Sequence, residues 1–201
     1  SVQSVILASQ LIPPKSSPGE IAAETMTVIL GGSFTSRMNM NLREDKHWSY
    51  GARSQVLATR GQRLLTTVAP VQTDKTKEAV LEVIKEHREI AGNRPPSREE
   101  LERVQRNRTL SQTGRWETMR AVSGSIHQIV TYGLPDDYFQ TYPDELRALD
   151  VTDLASAATR VIRPDGLTWI VVGDLEQIEA GIRELGLAEV HVIDADGTVV
   201  R

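Results

Sequence analysis

The sequence has no cysteine, which removes disulfides, thiolate nucleophiles and Cys-bearing zinc sites together and leaves the redox compartment open. Aromatic residues make up only 4% of it, too few for a base-stacking platform, and a net charge of −4 offers no basic surface to nucleic acid. No apolar run approaches the roughly 20 residues that span a bilayer. Ser1 is not followed by a charged stretch and then an apolar one, so no signal peptide is expected; the reading is a soluble protein, with periplasm and cytoplasm both open. The four histidines, His47, His87, His127 and His191, stand alone. None has a second histidine four residues away, so the helical two-histidine zinc motif is missing, and each is expected at the surface or in a hydrogen bond.

What is present is the composition of a folded domain. The chain has 201 residues, 39% apolar and 25% charged, enough to bury a substantial core. It contains no internal repeat, low-complexity tract or long linker, so residues 1–201 are read as one domain.

The element order is α+β. Val2 to Leu11 reads as a strand closed by Pro13-Pro14. Ser17 is expected to cap a helix with Pro18 at its first position, and that helix runs to a break at Gly31-Gly32. A second helical piece carries Arg37 to Asp45, with Met38 and Leu42 on one face. From Trp48 the pattern alternates, predicting a strand to Ala58, a turn at Thr59-Arg60-Gly61-Gln62 and a return strand from Leu64 to Ala69. A helix over Asp74 to Ala91 follows. The capping box Ser97-Arg98-Glu99-Glu100 then opens one long helix to Thr131. Two shorter helices, Asp136 to Leu146 and Val151 to Ile162, precede a buried strand at Leu167 to Val172, a helix from Leu175 to Leu185, and a strand-like run at Val190 to Ile193 before the Asp194-Ala195-Asp196-Gly197 turn. The expected fold is a mixed or antiparallel sheet with helices packed on one face.

The most informative stretch is residues 30–52. Leu30-Gly31-Gly32 is followed by Ser36-Arg37, then by Leu42-Arg43-Glu44, then by Tyr50-Gly51. The order and spacing of these residues resemble the signature of the non-catalytic C-terminal half-domain of the M16 (pitrilysin/insulinase-type) zinc metallopeptidases. The element order and the late Val171-Val172-Gly173-Asp174 fit that half-domain too, so the resemblance covers nearly the whole chain. It implies the LuxS/MPP-like metallohydrolase half-domain fold.

The resemblance also carries functional expectations. Catalytic M16 halves hold zinc on a His-x-x-Glu-His helix, with the glutamate as general base. This chain lacks that motif, so no metal or cofactor is expected in it and zinc is expected in a partner half. In the family the non-catalytic half lends an arginine and a tyrosine to substrate held at the partner's zinc, and Arg43 and Tyr50 match those positions. A guanidinium fork suits a peptide carbonyl and a phenol suits a developing oxyanion. His47 stands where many family members have glycine, and His47 and Trp48 are candidate linings of the substrate chamber. The plainer reading pairs Arg43 with Glu44 or Asp45 and places Tyr50 in the core with its hydroxyl outward.

Other motifs point nowhere specific. Gly31-Gly32 lacks the lysine and hydroxyl of a phosphate loop. Arg98 to Arg108 mixes Arg and Glu at helical spacing and is read as a solvated, internally paired face. Asp194-Ala195-Asp196-Gly197 is too short for a calcium loop. Two functions therefore stand. One is the substrate-positioning half of a zinc peptidase, acting on peptides with a HxxEH-bearing domain or subunit and inactive alone. The other is a scaffolding module that keeps the fold without proteolysis.

Overall fold

A computed structural model describes residues 3–57, 59–111 and 114–201. Its frame is a four-stranded antiparallel sheet in the order β2-β3-β1-β4, where β1 is Gln3–Ile12, β2 Arg53–Leu57, β3 Arg63–Gln72 and β4 Thr168–Val172. The long central pair β1–β3 sets the register, with Ile6 opposite Ala69 and Ala8 opposite Thr67. Alternation along β1 sends Ile6, Ala8 and Ile12 to a buried face, while Leu11 is exposed on the other. That period of two is the mark of a sheet covered on one side.

The covering layer is helical. It comprises α1 (Glu20–Thr27), α2 (Arg37–Asn39), α3 (Thr76–Ile90), α4 (Arg98–Leu110), α5 (Met119–Tyr132), α6 (Tyr138–Ala148), α7 (Val151–Val161) and α8 (Leu175–Glu184). Met26 and Leu30 from the first helical stretch, Met38 and Leu42 from the second, Val83 from α3 and Leu154 from α7 join Ile6 and Leu65 in one core cluster. The expected α+β architecture is the observed one.

Several local expectations change. Ser17 does not cap α1. The Ser17 amide closes a turn onto the Pro14 carbonyl at 3.1 Å, and Gly19 takes the cap position with φ 75°, a left-handed conformation that costs glycine least. The strand expected from Trp48 begins only at Arg53; across from the missing rungs, Pro70 has no N–H to offer, and its carbonyl accepts from Ser49 Oγ. Ala58 lies outside the described residues, as does Val2. The long helix after Ser97 is two helices: its capping box forms as expected, but α4 ends at Leu110 and Thr118 caps α5 by accepting from the Ala121 amide at 3.2 Å. The apolar face persists in sequence without persisting in burial, since Leu101 and Val104 are buried whereas Met119 and Ile126 are exposed. Finally, β4 is an edge strand with Ile170 and Val172 exposed, not a buried one.

Candidate functional site

The stretch 30–52 folds as two helix ends joined by a loop. After α1, residues Val28–Gly32 form a π-helical turn, and after α2 residues Met40–Asp45 form another. Single π turns inside helices are uncommon and recur at functional sites. The first turn ends against the sheet. A Cβ on Gly31 would sit 2.2 Å from the Ser54 amide nitrogen and 2.4 Å from its Oγ, so only glycine allows this approach.

The second turn ends at a chain reversal. The Lys46 amide donates to the Asn41 carbonyl at 3.0 Å, and the Trp48 and Ser49 amides both donate to the Leu42 carbonyl at 3.0 and 3.2 Å. His47 makes the reversal with φ 57°, the one positive φ at a non-glycine residue among the described residues. This explains in physical terms why glycine suits that position: a left-handed backbone strains any residue with a Cβ. His47 Nδ1 meets the Arg43 carbonyl oxygen at 3.1 Å as an N–H donor.

The signature's two arginines have opposite surroundings. Arg37 is 8% exposed. Its Nε and Nη2 both donate to Glu100 at 2.7 Å, and Nη1 and Nη2 also donate to the Arg94 and Pro95 carbonyls. It therefore fastens the loop that leads into α4. Burial works against the Glu100 carboxylate, but the Arg37 hydrogen bonds and the Ser97 amide outweigh it and hold its pKa below the ordinary value.

Arg43 lies at the surface, at the end of the π turn. Its Nε pairs with Glu44 Oε1 at 3.1 Å, as the plainer reading expected, and its guanidinium carbon lies 4.7 Å from the centroid of the Phe34 ring. Its Nη groups have no protein partner among the described residues. Tyr50 is not a core residue. It is 88% exposed, and its hydroxyl likewise has no partner among the described residues. Arg43 and Tyr50 make no direct contact there, because the helix does not continue to carry both on one face. They flank the reversal, Arg43 four residues before His47 and Tyr50 three after it. Trp48 packs partly against the core, with Lys46 Nζ 5.4 Å from its ring centroid.

Sequence reasoning missed Asn39. This buried residue donates from Nδ2 to the Phe34 carbonyl at 2.7 Å and accepts at Oδ1 from the Ala52 amide at 3.2 Å. It ties the loop before Arg43 to the segment after Tyr50. An asparagine inside a helix is a weak signal, since such side chains compete with the backbone for hydrogen bonds.

Two further polar clusters surround this region. A groove of about 660 Å³ between the second π turn, α3 and α4 is lined by Asn41, Lys46, Glu86 and Arg94, among others. Asn41 Nδ2 bonds Glu82 and Glu86, each at 2.8 Å, and Lys46 and Arg94 pair with Glu82 and Glu86. The groove's charges thus largely satisfy one another. Beside α1, Arg63 grips Glu20 through both Nη nitrogens, Lys15 donates to Glu24 at 2.7 Å, and Arg108 reaches Glu24 and the Tyr142 hydroxyl. Arg108 is thus an interior tie and not part of a solvated face. Burial, helped by the neighbouring Glu24 charge, pushes Glu20 up to about 7 in spite of Arg63.

No set of three His, Asp or Glu side chains able to hold a metal exists among the described residues. His87 is fully buried, with Nδ1 donating to the Val83 carbonyl at 2.8 Å and Nε2 near Thr67 Oγ1 at 3.2 Å; burial lowers its pKa. The described residues do not fit a zinc centre. No described helix is long and apolar enough to cross a membrane.

Comparison with known proteins agrees with this architecture. A solved structure described as the peptidase M16 inactive domain from Pseudomonas fluorescens is 20% identical, with a TM-score of 0.79 over 85% of this chain and 41% of that one. A protease from Helicobacter pylori is 13% identical, with a TM-score of 0.74 over 87% of this chain and 42% of that one. Complex III2 from Candida albicans contains a chain 12% identical, with a TM-score of 0.72 over 93% of this chain and 46% of that one. At these identities the likeness is one of fold, and the chain spans about two fifths of the length of the first two. No curated protein matches. The sequence profile described as the peptidase M16 inactive domain matches residues 2–108, more than half of the chain. The chain therefore belongs to the peptidase M16 inactive-domain family.

Proposed function

We propose that this chain, as one half-domain, positions substrate for an M16-type zinc peptidase whose HxxEH motif lies in a partner domain or subunit. Peptides or unfolded segments are the substrates, and zinc belongs to the partner. The observation that supports this most is the pair of unspent donors at the reversal. The Nη groups of Arg43 and the hydroxyl of Tyr50 sit at the surface with no protein partner among the described residues, while the backbone around them is pinned by Asn39, Leu42 and Ser49. Donors held on a fixed frame serve a carbonyl or oxyanion without reorganising. Arg43 orients the substrate backbone, Tyr50 donates to the oxygen on which charge develops, and His47 and Trp48 border the same surface.

The test is peptide hydrolysis and bound zinc, measured for the chain alone, for the partner half alone and for the two together. Activity only in the mixture, reduced about a hundredfold by Tyr50→Phe, supports the reading. An assembled mixture that hydrolyses nothing points to a scaffolding module.

A further inference from the structure

Phe34 lies in the loop between the two helix ends, and 59% of it is exposed. A single exposed apolar residue is ordinary on a protein surface; what sets Phe34 apart is its setting. One face of its surroundings is occupied: the Arg43 guanidinium sits 4.7 Å from the ring centroid, a cation–π distance. The loop that carries it is not loose. Asn39, itself buried, bonds the Phe34 carbonyl at 2.7 Å and with its other end holds the Ala52 amide, beyond Tyr50. The Ser36 amide closes the loop onto the Ser33 carbonyl at 3.1 Å. The ring is thus an apolar surface at a fixed height beside a guanidinium with free donors.

We propose that Phe34 is the specificity-determining residue of this surface: it props the Arg43 guanidinium and receives an apolar or aromatic side chain of the peptide whose backbone Arg43 holds. The inference rests on the substrate-positioning role of Arg43. A ring contact leaves the edge of a guanidinium free for hydrogen bonds, so one residue supports the arginine and reads the neighbouring side chain without competing for donors. The substrate class is peptides with Phe, Leu or a similar residue adjacent to the carbonyl bound by Arg43.

The experiment uses the chain assembled with its HxxEH-bearing half and quenched-fluorescent peptides that differ only by Phe, Leu, Ala or Asp at each position in turn. In the unaltered assembly one position favours Phe and Leu over Ala by about tenfold, the range that apolar pockets achieve. Phe34→Ala brings that ratio close to one at that position alone, and Phe34→Leu, which restores an apolar surface, retains most of it. Melting temperatures of both variants stay near that of the unaltered chain, because the ring is exposed. Arg43→Ala separates the two readings. If Arg43→Ala slows turnover of every peptide but Phe34→Ala leaves the preference intact, Phe34 is not the reader and the positioning role of Arg43 stands. If Arg43→Ala changes nothing, the positioning role fails and this inference fails with it. An unaltered assembly with no apolar preference at any position also overturns it.

Discussion

Arg37 and Arg43 stand six positions apart, and the two show what a signature motif can mean. Around Arg37 all three guanidinium nitrogens donate inside the protein, to a carboxylate fork and two carbonyls. Around Arg43 one donor meets an adjacent glutamate, a ring supports the group, and the rest face solvent. The first region builds the frame and the second is what the frame presents. A motif read as letters gives both arginines equal weight; burial and donor use distinguish them.

The largest break in this contrast is Arg37→Ala. It leaves Glu100 largely buried without its partner, and removing one side of such a pair costs about 3–5 kcal/mol, to be read as a lowered urea midpoint. A double variant, Arg37→Met with Glu100→Leu, recovers much of the loss, because the uncompensated charge goes too. Arg43→Ala should behave in the opposite way. Its stability change stays within about 0.5 kcal/mol, as for exposed sites. Turnover by the assembled peptidase falls about a hundredfold, a barrier increase of about 2.7 kcal/mol. If Arg43→Ala instead unfolds the chain, the contrast between frame and presented surface is wrong.

Acid sharpens the comparison between two buried arginine–glutamate pairs. Glu100 has a folded pKa below its ordinary 4.5, so its contribution to stability is present above pH 4.5 and is lost as pH falls through the folded value. Glu20 has the reverse sign: its pKa rises from 4.5 to about 7, so its contribution is full below pH 4.5 and is lost as pH rises towards 7. Relative to Glu100→Gln, the unaltered chain should therefore lose stability on going from pH 6 to pH 3. Relative to Glu20→Gln, it should lose stability on going from pH 4 to pH 8. Chemical denaturation of the three proteins across that range checks both signs, and parallel curves for the two variants would remove the distinction.

The smallest effect belongs to His47→Gly. Relief of the left-handed strain, worth about 1–2 kcal/mol, exceeds the added entropy of an unfolded glycine, worth about 0.4–1 kcal/mol. A net gain of roughly 0.5 kcal/mol in denaturant unfolding is expected. A clear loss would show that the His47 bond to the Arg43 carbonyl matters more than the backbone strain.

The frame was largely legible in the sequence because period and punctuation report it directly. The alternation of β1, the capping box at Ser97 and the apolar period of α3 all appear where expected. Failures fall where tertiary contacts decide. The apolar residues from Leu101 to Ile129 look like one face, yet nothing in their spacing tells that the later ones lack a surface to cover. The cap of α1 passes from Ser17 to Gly19 because a turn at Pro14 takes the Ser17 amide first. At the candidate site, Arg43 and Tyr50 were nameable from the signature, but Asn39 and Phe34 were not. Their roles depend on a long bond from a helix to a later segment and on a ring meeting an arginine nine positions on, neither of which leaves a periodic trace.

The contact of Gly31 with Ser54 bears on how the site tolerates change. Most helices rest on a sheet through side chains, which shift rotamers and absorb small errors. Here backbone stands on backbone, with no compressible layer between them. The height of the following loop above the sheet is thereby gauged by atomic radii, and sequence drift in the surrounding core should leave that height almost unaltered. The surface carrying Phe34, Arg43 and Tyr50 can then change in chemistry while its distance from the sheet stays set by sterics.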